Sequence, residues 1–263
     1  MTPHRLVISA LTLLWFSATA LAEQASLPRY GVVGEDDRKV IANGAPPWSA
    51  IGHVNIGGRR MRWICSGTLV APRVVLTAAH CVVNFPKRKL HPMRDINFVA
   101  GVNKGKSKGA AKAKCVKLLK DTVGYDYIAA IGGQQSAERQ SPQQIVRDLA
   151  VIVLNKDLAK AGTIGIASNR IVPVQSPVAH ASFPGTRRQV LTGQKNCRTL
   201  VSAVGLLVTD CDVEPGSSGG PILVEEDGQY RLAGVAVGYL ENLGTLAVPA
   251  ASIPRNFLTA DCP

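Results

Sequence analysis

Cys65-Ser-Gly-Thr-Leu-Val-Ala-Pro-Arg-Val-Val-Leu-Thr-Ala-Ala-His-Cys81 is the stretch on which the reading of this chain turns. Two short apolar runs, one ending at Val70 and one over Val74–Thr77, flank Pro72-Arg73, and their β-branched content predicts strands joined by a turn. The second run leads directly into His80, held between Ala79 and a cysteine. Farther on, Arg147-Asp-Leu-Ala-Val-Ile-Val-Leu154 sets an acid at the mouth of another apolar strand, and Glu214-Pro-Gly-Ser-Ser-Gly-Gly-Pro-Ile-Leu-Val224 folds a Gly-rich turn around Ser218 before a third.

These three segments carry one chemistry between them. A serine hydroxyl becomes a useful nucleophile when an imidazole takes its proton, and the imidazole needs a carboxylate to fix its tautomer and stabilise its charged form. His80, Asp148 and Ser218 are the candidates; Asp95, Asp121 and Asp126 also lie between the His and the Ser and are alternatives for the acid. Little side chain around Ser218 lets the backbone N–H groups of Gly216 and Ser218 converge on one point as an oxyanion hole. His53, His91 and His180 lack such context and read as surface residues.

Working outward, short β-branched runs recur at Val40-Ile-Ala, Ala50–Ile56, Trp63–Val70, Leu149–Leu154, Val201–Val208, Ile222–Val224, Leu232–Val237 and Thr245–Val248, separated by Gly, Pro or Asn. That spacing predicts an all-β sandwich or barrel. A helix is predicted only over Pro249–Thr259, around Ile253, Phe257 and Leu258.

The motifs resemble those of the chymotrypsin-like (trypsin-fold) serine peptidases, in which T-A-A-H-C carries the base, D-[LI]-A the acid and G-x-S-G-G-P the nucleophile, in this order. The resemblance spans roughly Arg38 to Phe257 and is weak over residues 84–144. It implies an all-β fold of two six-stranded antiparallel barrels with the site in the cleft between them, an acyl-enzyme mechanism, protein or peptide substrates, and no cofactor or metal. It also implies a Cys65–Cys81 bridge beside the catalytic His. Cys197 and Cys211 flank a 13-residue stretch before the nucleophile turn and form the next expected pair, leaving Cys115 with Cys262.

Within the family, Glu35-Asp-Asp-Arg38, Asp212 and Arg255-Asn-Phe-Leu258 resemble the bacterial glutamyl endopeptidases. Two positions depart from family patterns. Ser217 stands where trypsin-like zymogens carry the Asp that pairs with a new N-terminus, and Ala236 stands where glutamyl endopeptidases place a pocket His. The candidate substrate-binding residues are Asp212, Ala236, Val237 and Gly238, with a surface charge or a turn-capping carboxylate as alternative roles for Asp212. The chemistry also permits an esterase, and a peptidase fold kept only for binding is the remaining rival.

Composition bounds the rest. Of 263 residues 46% are hydrophobic and 18% charged, which excludes disorder throughout, collagen and coiled coil. Leu6 to Ala22 is an apolar run behind Arg5 that ends in Ala20-Leu-Ala22, so residues 1–22 read as a secretory signal cleaved after Ala22, and no later run could cross a bilayer. Residues 23–39 read as a propeptide or N-terminal arm, and 40–260 as the peptidase domain. Six cysteines in an exported chain point to disulfides, and without a C-x-x-C pair a structural zinc site is not expected.

The formal net charge is +12, and the segment from Lys87 to Lys120 holds eleven Lys/Arg against the single acid Asp95. Its centre, Gly101–Gly109, has no aromatic residue on which a base could stack, so specific nucleic-acid recognition is not expected. The segment reads as a solvated, mobile basic loop, with attraction to anionic surfaces as its alternative role.

Overall fold

A computed structural model describes residues 31–57, 63–119, 122, 145–168 and 171–262. The predicted signal at 1–22, the first part of the 23–39 arm, Asp121 and Asp126 lie outside the described residues. The strands are β1 (Lys39–Val40), β2 (Ile51–Ile56), β3 (Trp63–Ala71), β4 (Val74–Thr77), β5 (Val83–Asn84), β6 (Lys89–Leu90), β7 (Ile96–Ala100), β8 (Gly109–Leu118), β9 (Ala150–Leu154), β10 (Pro177–Ser182), β11 (Thr192–Ala203), β12 (Leu206–Thr209), β13 (Pro221–Glu226), β14 (Gln229–Leu240) and β15 (Gly244–Pro249).

Six of them close an antiparallel barrel in the order β2-β3-β4-β9-β8-β7. A second barrel runs β11-β10-β13-β14-β15-β12 and closes by pairing β12 back onto β11, with β1 added outside β11. Closure leaves no free edge in either barrel. Leu69, Leu76, Phe98 and Ile152 fill the first barrel, and its core continues through Phe183, Leu191 and Val235 into the second. This is the two-barrel architecture implied by the resemblance.

Four local expectations are corrected. Val201–Val208, read as one strand, is a hairpin: β11 ends at Ala203, Gly205 adopts φ +83°, and β12 returns. A run of apolar residues conceals such a turn when its glycine sits between two valine-rich arms. The expected C-terminal helix is instead two single 3-10 turns, Ala250–Ser252 and Arg255–Leu258, because Pro254 between them has no N–H to continue a helix.

Third, much of the basic segment is ordered structure and not a mobile loop. Asn103 and Lys106 bracket a two-residue turn with positive φ at both Lys104 (+46°) and Gly105 (+81°), the type I′ geometry that matches strand twist. Strand β8 follows, burying Ala111 and Ala113 while Lys112 and Lys114 face outward. Fourth, His53 and His180 are buried, and His91 is half-buried. His53 lies on β2 where the barrels meet, edge-on to the Phe183 ring at 4.4 Å.

Candidate active site

Strand register brings His80 and Asp148 together. Thr77 at the end of β4 pairs with Ala150 at the start of β9, so the residues just beyond each strand end are neighbours. His80 follows on a 3-10 turn (Ala79–Cys81), and Asp148 precedes β9 in a turn closed by its own N–H donating to the Ile145 carbonyl. The Asp148 carboxylate then accepts twice from one residue. The His80 backbone N–H donates to Oδ1 at 2.8 Å, and ring Nδ1 lies 2.7 Å from Oδ2. With Nδ1 so engaged, the imidazole is oriented and Nε2 is the nitrogen left for chemistry. Of the alternative acids within the described residues, Asp95 lies on a separate turn before β7 and makes no such contact.

Ser218 lies in the loop before β13, its carbonyl 3.8 Å from Sγ of Cys81, the residue after His80. That carbonyl accepts from the Ser66 N–H of β3 at 2.8 Å. The Ser66 hydroxyl donates to the Gly216 carbonyl and accepts from the Phe183 N–H, each at 2.9 Å, while the Thr77 hydroxyl donates to the Ser66 carbonyl. Ser66 therefore clasps the Ser218 loop of one barrel onto the first barrel. Neither Ser66 nor Thr77 was among the sequence candidates. Their signal was a polar residue within a largely apolar strand, and both side chains are fully buried.

The loop is packed too closely for side chains at its glycines. A Cβ on Gly219 would stand 2.1 Å from the Ser66 carbonyl oxygen and 3.1 Å from the Ala78 nitrogen, two residues before His80. Gly216 adopts φ +100° against the Phe183 carbonyl. The backbone donors divide in two. The N–H groups of Ser217, Gly219 and Gly220 donate to the carbonyls of Glu214, Ala236 and Ser217. Those of Gly216 and Ser218 have no acceptor among the described residues. Two unpaired donors beside a serine can hold a developing oxyanion.

Asp212 is bonded to the 31–38 arm. It is 1% exposed, and its two oxygens accept from the backbone N–H groups of Val33 and Asp37 at 2.8 and 3.0 Å. Burial pushes its carboxyl up, against the lowering effect of those two bonds. The arm is fastened further by Arg38, which donates to Asp36 and to Glu214 at 2.8 and 2.9 Å. Glu214 also accepts from Thr186, and its net shift is downward even though desolvation is the largest single influence and opposes it. At Ser217, the hydroxyl accepts from Ser182 at 2.9 Å.

Ala236, Val237 and Gly238 lie on β14 beside the loop that carries Ser218. Ala236 exchanges hydrogen bonds with Gly219 and Gly220, and a register shift between Ala236 and Gly238 lifts Val237 out of the β15 ladder. The structure joins Cys65 to Cys81, Cys115 to Cys262 and Cys197 to Cys211. Cys65, Cys81 and His80 form the one cluster of metal-ligand atoms among the described residues, but disulfide sulfurs have no thiolate to offer a metal.

Residues 65–235 match the family model of the trypsin-like peptidase domain. A 55-residue stretch is 47% identical to the CLIP domain-containing serine protease B15 of Anopheles gambiae, covering 21% of this chain and 15% of that protein. Among solved structures, a Glu endopeptidase in complex with MPD superposes with TM-score 0.65 at 22% identity, covering 86% of this chain and 95% of that one. The VesB protease of Vibrio cholerae superposes with TM-score 0.61 at 16% identity, covering 82% of this chain and 64% of that one.

Proposed function

Because the chain belongs to the trypsin-like peptidase family and is a serine-type endopeptidase, we propose that His80, Asp148 and Ser218 are its catalytic triad. The Ser218 hydroxyl attacks the scissile carbonyl carbon as its proton passes to His80 Nε2. The tetrahedral oxyanion is held by the N–H groups of Gly216 and Ser218. His80 then delivers the proton to the leaving amine, and the C–N bond breaks to give an ester at Ser218. Water, deprotonated by the same imidazole, hydrolyses that ester and restores the hydroxyl. Asp148 keeps the Nδ1 proton in place throughout and stabilises the imidazolium.

The observation that carries this reading is the paired geometry: an imidazole oriented through Nδ1 on one barrel, and on the other a serine flanked by two unpaired N–H groups. Ala236, Val237 and Gly238 are proposed to line the primary pocket, with Asp212 assigned to hold the 31–38 arm. Residues 1–22 are proposed to direct export, in keeping with three disulfides. The test is hydrolysis of casein beside a small ester by the wild type and by Ser218→Ala. Casein turnover lost in the variant supports a peptidase, turnover of the ester alone makes the chain an esterase, and no turnover of either makes it a binding protein.

A further inference from the structure

The basic segment has an order that the peptidase reaction does not use. Lys104, Lys106 and Lys108 occur at alternate positions through the type I′ turn, and Lys112 and Lys114 continue the alternation on β8, where outward-facing residues two apart stand about 7 Å from one another. All five are exposed. Strand β8 can present them because its inward positions are alanines, Ala111 and Ala113.

No ion pair among the described residues compensates this charge. The ion pairs among the described residues join Arg38 to Asp36 and Glu214, Arg187 to Asp36, and His80 to Asp148, and none includes a lysine of the row. Across β7 the residues facing Ala110 and Lys112 are Val99 and Asn97, both uncharged. At its other end the row approaches the active-site loops: the Lys104 N–H donates to the Gln189 carbonyl, next to exposed Arg188, whose Nε donates to Gly185, itself bonded to Pro215 of the nucleophile loop.

We propose that this row is a docking surface for a linear acidic polysaccharide bearing sulfate or carboxylate groups. A file of cations on a hydrogen-bonded strand and a tight turn matches a polymer with repeating charges better than a single small anion. No aromatic residue lies in 101–114 to stack on nucleic-acid bases. The large exposed apolar residues, such as Trp63, Ile171 and Val204, are all outside the row, so it has no wedge to enter a bilayer. A polymer held there extends toward the rim of the catalytic cleft, which would keep the enzyme on a substrate-bearing matrix.

The test compares heparin and polygalacturonate, by calorimetry in about 0.1 M salt where screening is moderate. A row variant (Lys106→Gln, Lys108→Gln, Lys112→Gln and Lys114→Gln) is set against a control removing equal charge elsewhere (Lys39→Gln, Lys87→Gln, Lys89→Gln and Arg255→Gln). The row variant should lose affinity by on the order of tenfold or more, with a shallower salt dependence, and the control by less than about threefold. Hydrolysis of a short peptide should be unchanged in both, which also reports that they are folded. Equal losses in the two variants would reduce the effect to net charge and overturn the proposal. So would absence of binding by the wild type, or tighter binding to a single-stranded oligonucleotide or to phosphatidylglycerol vesicles.

Discussion

Gly219→Ala is the perturbation whose consequence follows most directly from the geometry. The added Cβ would stand 2.1 Å from the Ser66 carbonyl oxygen and 2.2 Å from Thr77 Oγ1, where ordinary contact begins at 3.4 Å, so the groups must separate by more than about 1 Å. The carbonyl is backbone and is fixed by the bond it accepts from Thr77, so the separation has to come from the loop carrying Ser218. A misplacement of that size at a reacting group costs about 100-fold in rate. The left-handed backbone, φ +82°, adds about 1 kcal/mol of strain.

Gly228→Ala separates the two effects. Gly228 has φ +71° but nothing within 4 Å, so it should lose about 1 kcal/mol of stability, a few degrees in Tm, and no activity. The assay is kcat/KM on a peptide substrate together with the rate of inactivation by a fluorophosphonate. Gly219→Ala within about threefold of wild type in both, or an equal rate loss in Gly228→Ala, would refute the claim that close packing of this loop positions the nucleophile.

Two further outcomes are expected. Asp148→Asn presents an amide to His80 Nδ1 and so favours the tautomer with its proton on Nε2, which should lower kcat about 10⁴-fold with the fold intact by circular dichroism. For pH, burial holds the imidazoles of His53 and His180 down to about 4, from an ordinary 6.5, against the opposing backbone hydrogen bonds of His53 with Arg188 and of His180 with Pro221. Unfolded histidines bind protons that the folded ones refuse. This part of the stability is therefore complete above about pH 6.5 and is lost as pH falls toward 4, amounting to about 2 kcal/mol from each His between pH 7 and 5. Asp212, whose carboxyl is pushed up, opposes this only near the lower end. Urea titrations at the two pH values measure the difference, and a flat profile would mean the imidazoles are not buried neutral.

The sequence was legible where chemistry forces particular residues together. The His80, Asp148 and Ser218 segments stood out as candidates because a hydroxyl, an imidazole and a carboxylate each stood next to an apolar strand. The recurrence of such strands indicated an all-β sandwich or barrel, and the division into two six-stranded barrels came from the family resemblance. What stayed hidden depends on pairing. Strand β8 alternates lysine with alanine, and alanine is too small and too weak a strand former to announce a buried face until β7 and β9 are beside it.

His53 and His180 gave no sign of burial because imidazole is common both inside and outside proteins. Their neighbours Phe183 and Pro221 are distant in sequence, the former meeting the His53 ring edge-on and the latter accepting from His180 Nδ1 at 3.0 Å. The role of Asp212 was open for a similar reason. Its partners Val33 and Asp37 lie more than 170 residues earlier, so its bonds to the arm could not be seen in the sequence.

The central claim is that Ser218 is a nucleophile activated by His80, and labelling with a fluorophosphonate followed by peptide mapping tests it most directly. The account predicts a single phosphonyl adduct on the peptide containing Ser218 in the wild type, absent from Ser218→Ala and strongly slowed in His80→Ala. An adduct on another serine, or labelling of Ser218 at the same rate without His80, would contradict it.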